Sequence, residues 1–341
     1  MKAGEGTGRQ GAATRRDVLR VLAVGAVAGA AWSAGLRSRE RAVTRTRVLM
    51  GTQVHLTVLA EDRDAAEAAA DATLQRMALL EARLSRYRAE SEVSRLHASG
   101  RLEEASDALL DVLRLADQVW RLGDGAFDIT VQPVLDLHRE ALGRPGARPA
   151  PEAIERALAR VDQRALRIEG RSVSLADRDA RITLDGIGKG YVVDRGIDVL
   201  RERGFGNVFI EAGGDLVAGG ERGEGAPWRI GIRHPRRAFA LQARFDARDR
   251  AVATSGDCMQ PFAPDRAQHH IVDPRTGWSA PELASSTVVA PDSATADALA
   301  TLTMVLGPRR GRALLEELPG CEGYFVSKQL EVTRTSGFEV V

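Results

Sequence analysis

Strand-type runs in this chain come in consecutive groups rather than alternating one for one with helices, and that order does most to limit the fold. Residues 48–59 alternate like a strand. Three further β-type runs, 165–168, 173–175 and 181–184, follow one another, and 207–254 is a succession of strands and glycine turns. Helical spacing marks 62–86, with Asp62 placed to cap it, then 105–122, 152–161, a stretch from the Gly186–Gly190 turn to about 203, and 292–306. Strands that follow each other directly pair as antiparallel neighbours, whereas a parallel sheet needs a crossover between each pair. The expected class is therefore α+β, with mainly antiparallel sheets and packed helices, not a doubly wound parallel sheet. At 44% hydrophobic over 341 residues, the chain has material for a sizeable core.

The first 35 residues read as an address. A polar, glycine-rich start leads into Thr14-Arg15-Arg16-Asp17-Val18-Leu19-Arg20 and then an apolar run from Val21 to Ala31, the order of a twin-arginine export signal. The run is shorter than the roughly 20 apolar residues a spanning helix needs, so it fits a signal core; left uncleaved, it would act as a membrane anchor. A basic connector is expected over 36–47, a domain over 48–341, and a Pro/Arg/Gly-rich loop over 143–151. The expected location is outside the cytoplasm, in the periplasm or anchored facing it. Forty-eight basic against 47 acidic residues leave no global bias toward a polyanion, so no nucleic-acid partner is expected. Two distant cysteines, Cys258 and Cys321, exclude a disulfide scaffold and a thiolate zinc site.

Several short stretches can carry chemistry. Gly186-Ile187-Gly188-Lys189-Gly190 opens a helix, either as a glycine-capped start or as a place where free backbone N–H groups meet an anion. Lys189 adds a point charge there, in a chain with only two other lysines. Asp297 and Thr301 are four apart and share a helix face. They serve either as an N-terminal helix acid with its neighbour or as two hard oxygen ligands for Mg²⁺. In His269-His270-Ile271-Val272-Asp273-Pro274, read as a short strand entering a turn, the adjacent histidines face opposite ways, and either is structural or a base. No G-x-S-x-G elbow and no H-E-x-x-H pair occurs.

Taken in order, these stretches resemble the FAD:protein FMN transferase family, the ApbE-like flavin transferases. The resemblance runs through Met50-Gly51-Thr52, Leu84-Ser85-Arg86-Tyr87, Gly125-Ala126-Phe127-Asp128-Ile129-Thr130, Gly188-Lys189-Gly190-Tyr191 with Asp194, Gly213-Gly214-Asp215, Thr254-Ser255-Gly256, His270 to Gly277, and Ala296 to Thr301. It implies an architecture related to the T-fold. It also implies Mg²⁺-dependent transfer of FMN from FAD to a threonine or serine hydroxyl of an acceptor flavoprotein, with AMP leaving. By the same resemblance Met50, Tyr87, Ala126, Phe127, Asp128 and Lys189 line the FAD site. Asp297 and Thr301 hold the metal with the Gly186 carbonyl, and Asp297 and His270 are the catalytic candidates. The implied acceptor is a flavoprotein with an FMN-binding domain of the electron-transport or denitrification-regulator type.

The chain departs from the family pattern in places. Thr183 and Asp185 stand where Asp and Gly are more usual, Cys258 replaces an aromatic residue, and His138-Arg139 replaces a Trp-Gly pair. These departures are expected to tune the rim of the flavin site. Two other readings use the same residues: an Mg²⁺-dependent FAD pyrophosphatase with water as the nucleophile, and a non-enzymatic exported FAD-binding protein.

Overall fold

The computed structural model describes residues 41–141 and 148–341; the expected signal segment lies outside them, as do the start of the connector and most of the 143–151 loop. In chain order the elements begin with β1 (Arg41–Leu49), β2 (Thr52–Ala60), α1 (Arg63–Leu84), α2 (Glu92–Ser99), β3 (Arg101–Leu102) and α3 (Asp107–Leu122). Next come α4 (Gln132–Ala141), α5 (Pro151–Leu158), β4 (Leu166–Glu169), β5 (Ser172–Leu175) and α6 (Gly188–Glu202). The second half holds β6 (Val208–Ala212), β7 (Asp215–Gly219), β8 (Trp228–Arg233), β9 (Leu241–Ala247), β10 (Arg250–Gly256), β11 (Leu283–Ala290), α7 (Ser293–Glu316), β12 (Glu322–Ser327) and β13 (Val332–Arg334).

An eight-stranded sheet in the order β1-β2-β6-β7-β10-β11-β12-β13 forms the frame, and every neighbouring pair in it is antiparallel, as the grouping of strands in sequence requires. Alternation splits its side chains between two faces. Leu56, Val217, Ala251, Val288 and Phe325 join the core beneath α1, α6 and α7. Leu216, Val252, Val289, Tyr324 and Val326 point the other way, onto the β8–β9 ribbon, whose Trp228, Ile230 and Phe245 are buried.

Four local expectations are corrected. The single strand over 48–59 is a hairpin: Met50 (φ 52°) and Gly51 (φ 70°) both turn left-handed, the conformation of a tight two-residue turn, and they reverse the chain between Leu49 and Thr52. The connector expected over 36–47 is accordingly strand from Arg41 onward. Its arginines disguised it, because on this edge strand only Val43 and Leu49 are buried. Residues 181–184 join no sheet; Ile182 N–H donates to His97 Nε2 at 2.9 Å and Thr183 N–H to the Ile129 carbonyl at 2.7 Å. Around His269 and His270 only isolated bridges form, Pro261 with His269 and Val272 with Ser279, so the expected strand there is a braced loop.

The helix expected over 292–306 runs on to Glu316, kinked at Gly307 (φ 76°) ahead of Pro308. Asp292 caps it by accepting from Thr295 N–H, and Asp62 caps α1 in the same way through Ala65 N–H.

Candidate active site

The start of α6 and the first turns of α7 lie against each other, and glycine sets the distance. A Cβ on Gly190 would stand 2.1 Å from the Ser293 carbonyl oxygen, a backbone atom that cannot swing aside. The contact is fixed by carboxylates at both levels: Asp194 accepts from Ser293 N–H and Ala294 N–H, each at 2.8 Å, and Asp297 accepts from Gly190 N–H at 3.1 Å. One turn further along α7, a Cβ on Gly186 would reach within 2.8 Å of Thr301 Oγ1, so the Gly186 backbone is pressed against that hydroxyl. Ser255 Oγ, at the end of β10, is 3.3 Å from the same Thr301 Oγ1.

Lys189 points into this junction. Its Nζ pairs closely with Asp215 and lies 3.9 Å from Asp297 Oδ1. Asp215 arrives through the Gly213-Gly214 turn between β6 and β7, where both glycines have positive φ. The Met50-Gly51 turn stands at the same end of the sheet, since Val54 pairs with Ala212 and Ala212 with Asp215, and the close approach of Gly213 to Thr52 allows no side chain there.

Burial dominates the electrostatics. It pushes the Asp297 carboxyl up to about 7, aided by Asp215 and opposed by Lys189 and the Gly190 N–H. Burial pulls the Lys189 pKa down, but Asp215 and then Asp297 outweigh it and hold the ammonium above its usual range. Burial also pushes His270 down to about 4, with His269 adding to the fall, so its imidazole is neutral at pH 7. Its Nδ1 is buried with no hydrogen-bond partner among the described residues. His269 has a structural role: fully buried, it pairs through Nε2 with the Ala280 carbonyl at 3.0 Å.

The other sequence candidates divide. Tyr87 is 70% exposed, beside Asp185, whose carboxylate also holds Arg86. Ala126 and Phe127 are buried in the core, and Asp128 spends its oxygens locally, accepting from Thr130 N–H at 2.7 Å and Gln163 N–H at 3.0 Å. No hydrogen bond or ion pair among the described residues joins these three side chains to Lys189 or Asp297, so Asp128 here braces a turn. His138, one of the departures, is buried, stacks on Phe262 with ring centroids 5.3 Å apart and pairs with the Gly277 carbonyl at 2.8 Å. Sequence reasoning did not single out Asp215 or Arg86 as site residues. The Gly-Gly-Asp turn was the available signal for the first, and the Leu84-Ser85-Arg86-Tyr87 stretch for the second.

Among the described residues no group of three or more His, Cys, Asp and Glu side chains converges to hold a metal. Asp297 and Thr301 sit one turn apart on α7 and the Gly186 backbone lies against Thr301 Oγ1, so the oxygens that would hold an ion here are one carboxylate, one hydroxyl and the neighbouring Gly186 carbonyl. These are hard oxygen donors too few to dehydrate an ion fully, which suits Mg²⁺, an ion that keeps waters and shares substrate oxygens.

A family model described as the ApbE family matches residues 50–325. The chain is 31% identical over 296 residues to a FAD:protein FMN transferase of Klebsiella pneumoniae (strain 342), covering 84% of each. It is 36% identical over 241 residues to a FAD:protein FMN transferase of Vibrio cholerae, covering 68% of this chain and 72% of the relative. The solved flavin transferase ApbE from Vibrio cholerae superposes with a TM-score of 0.76 at 29% identity, over 88% of this chain and 98% of that one. The ApbE protein from Thermotoga maritima superposes with a TM-score of 0.79 at 28% identity, over 87% and 97%. With the family match spanning the helix junction and a relative above 30% identity across most of both chains, this chain belongs to the ApbE family.

Proposed function

We propose that this chain is an Mg²⁺-dependent FAD:protein FMN transferase that acts on an exported acceptor flavoprotein. The observation that carries the reading is the junction itself, where the Gly186 backbone lies against Thr301 Oγ1 and a fixed cation, Lys189, lies 3.9 Å from Asp297 Oδ1. Family membership supplies the substrate class, because the named relatives are FAD:protein FMN transferases.

The acceptor hydroxyl attacks the FMN-side phosphorus of the FAD pyrophosphate; a new O–P bond forms, the bridging P–O bond breaks, and AMP leaves. Bound by Asp297, Thr301 and the Gly186 carbonyl, Mg²⁺ would supply charge neutralisation at the phosphate oxygens. Lys189, held by Asp215, presents a fixed positive charge that needs no reorganisation as the leaving phosphate gains charge. The hydroxyl proton leaves late in the attack, to Asp297, to neutral His270 or to water. Asp194 does not react; by capping the first turn of α7 it keeps Asp297 in register with Lys189.

The twin-arginine pattern at Arg15-Arg16 supports export, and with it an acceptor outside the cytoplasm, of the membrane electron-transport or denitrification-regulator type. Incubation of the full chain with FAD, Mg²⁺ and an FMN-binding acceptor domain tests the reading by intact mass of the acceptor. The expected result is a gain of one FMN less water that EDTA abolishes and that disappears when the acceptor threonine is changed to alanine. An unmodified acceptor beside AMP and free FMN would establish the pyrophosphatase reading instead.

A further inference from the structure

We propose that Asp185 is a positioning residue that holds the Tyr87 ring in the pose that receives a planar ring of FAD. The inference rests on the reading of Tyr87 as part of the FAD site. Asp185 opens the turn that carries Gly186, and its carboxylate reaches back across 99 residues to the end of α1. There Arg86 donates to Asp185 Oδ2 through Nη2 at 2.8 Å and through Nε at 3.1 Å. Arg139, from α4, brings a second guanidinium to 3.9 Å from the same oxygen. Three separate elements therefore meet on one carboxylate.

Tyr87 is the exposed member of this group. The Arg86 guanidinium lies over its ring, 4.1 Å from the centroid, and also contacts its hydroxyl, which is 3.5 Å from Asp185 Oδ2. One face of the ring is thus covered by a cation while the residue stays 70% exposed, which leaves the opposite face open to stack on an aromatic ligand. The Arg86 side chain is only 11% exposed, so its fork is confined and transmits the position of Asp185 to the ring. Apart from this clamp, the hydrogen bonds that tie Arg86 and Tyr87 among the described residues are Ser94 Oγ to the Arg86 carbonyl and Tyr87 N–H to Ser85 Oγ, both at 3.3 Å. Those bonds fix the backbone and leave the ring free to turn.

The test uses the full chain and four variants, Asp185→Asn, Asp185→Glu, Arg86→Lys and Tyr87→Ala, with FAD binding followed by flavin fluorescence and transfer kinetics followed on an acceptor domain. Asp185→Asn is expected to raise the FAD Kd and KM about fivefold to tenfold, the scale of one charge-assisted bidentate contact. Turnover at saturating FAD and the Mg²⁺ needed for half-activity should change less than twofold. Arg86→Lys, which keeps the charge but loses the planar fork, should weaken FAD in the same way, and Asp185→Glu should recover most of the affinity. Adding Asp185→Asn to Tyr87→Ala should cost nothing further, because the two act through one ring. If Tyr87→Ala weakens FAD while Asp185→Asn does not, or if the two losses add in full, the positioning role is overturned and the FAD reading stands. If Tyr87→Ala leaves FAD affinity untouched, the reading of Tyr87 fails and the proposal falls with it.

Discussion

Asp297 and Gly190 are joined directly, the Asp297 carboxylate accepting the Gly190 N–H at 3.1 Å across the junction of α6 and α7. The hydrogen bond needs the two backbones in contact, and only glycine permits that contact. Gly190→Ala would place a methyl 2.1 Å from the Ser293 carbonyl oxygen and force the helices apart. The expected loss is roughly 3 kcal/mol, at the upper end for overpacking, because backbone rather than a flexible side chain must yield. Chemical denaturation measures it; stability within 0.5 kcal/mol of the parent, about the scatter of neutral surface changes, would mean the junction is looser than described.

Asp297→Ala removes the only carboxylate of the oxygen set while leaving Lys189 paired with Asp215. FMN transfer is expected to fall by roughly three orders of magnitude or more, the scale of losing a metal-held charge clamp. FAD binding should survive in part. Turnover and FAD titration on the same preparation check this, and full activity would dismiss the metal assignment.

His97 connects stability to pH. Burial, then Arg181, pushes it down to about 4, and its Nε2 accepts the Ile182 N–H that braces residues 181–184 ahead of Gly186. A histidine depressed in the folded state contributes stability fully above its unfolded value of about 6.5, and that contribution is lost as pH falls through about 4. The stability gap between the parent and His97→Gln, which keeps an acceptor but cannot titrate, should therefore be constant above pH 7 and move against the parent as pH falls from 6.5 to 4. Denaturation at a series of pH values reads it directly. A gap that stays level across that window would show that His97 does not titrate as described.

The fold class was legible because strands that follow one another leave few pairings open, and the capped helices at Asp62 and Asp292 announced themselves by residue type. The β1 strand was hidden because an arginine-rich edge needs little apolar surface, and the Met50-Gly51 turn uses a left-handed methionine that no turn preference marks. Asp297, Thr301 and Lys189 could be found by spacing and resemblance. Asp215 and Arg86 lay within stretches that carry the resemblance, but their pairing with Lys189 and Asp185 was not legible, since each pair is made by the tertiary fold, 26 and 99 residues apart.

The proposed export rests on the sequence pattern of Arg15 and Arg16, which precede the apolar run from Val21 to Ala31. Changing both to lysine keeps the charge and removes the guanidinium pair, and is expected to block export of a folded reporter fused to residues 1–35. Cell fractionation would show this; unchanged export would point to another route.

The account turns on where the FMN goes, and a single-turnover count of both products tests that most directly. With Mg²⁺, FAD and an acceptor domain, each AMP released should be matched by one acceptor-bound FMN, and Asp297→Ala should suppress both together. AMP accompanied by free FMN and an unmodified acceptor would contradict the account.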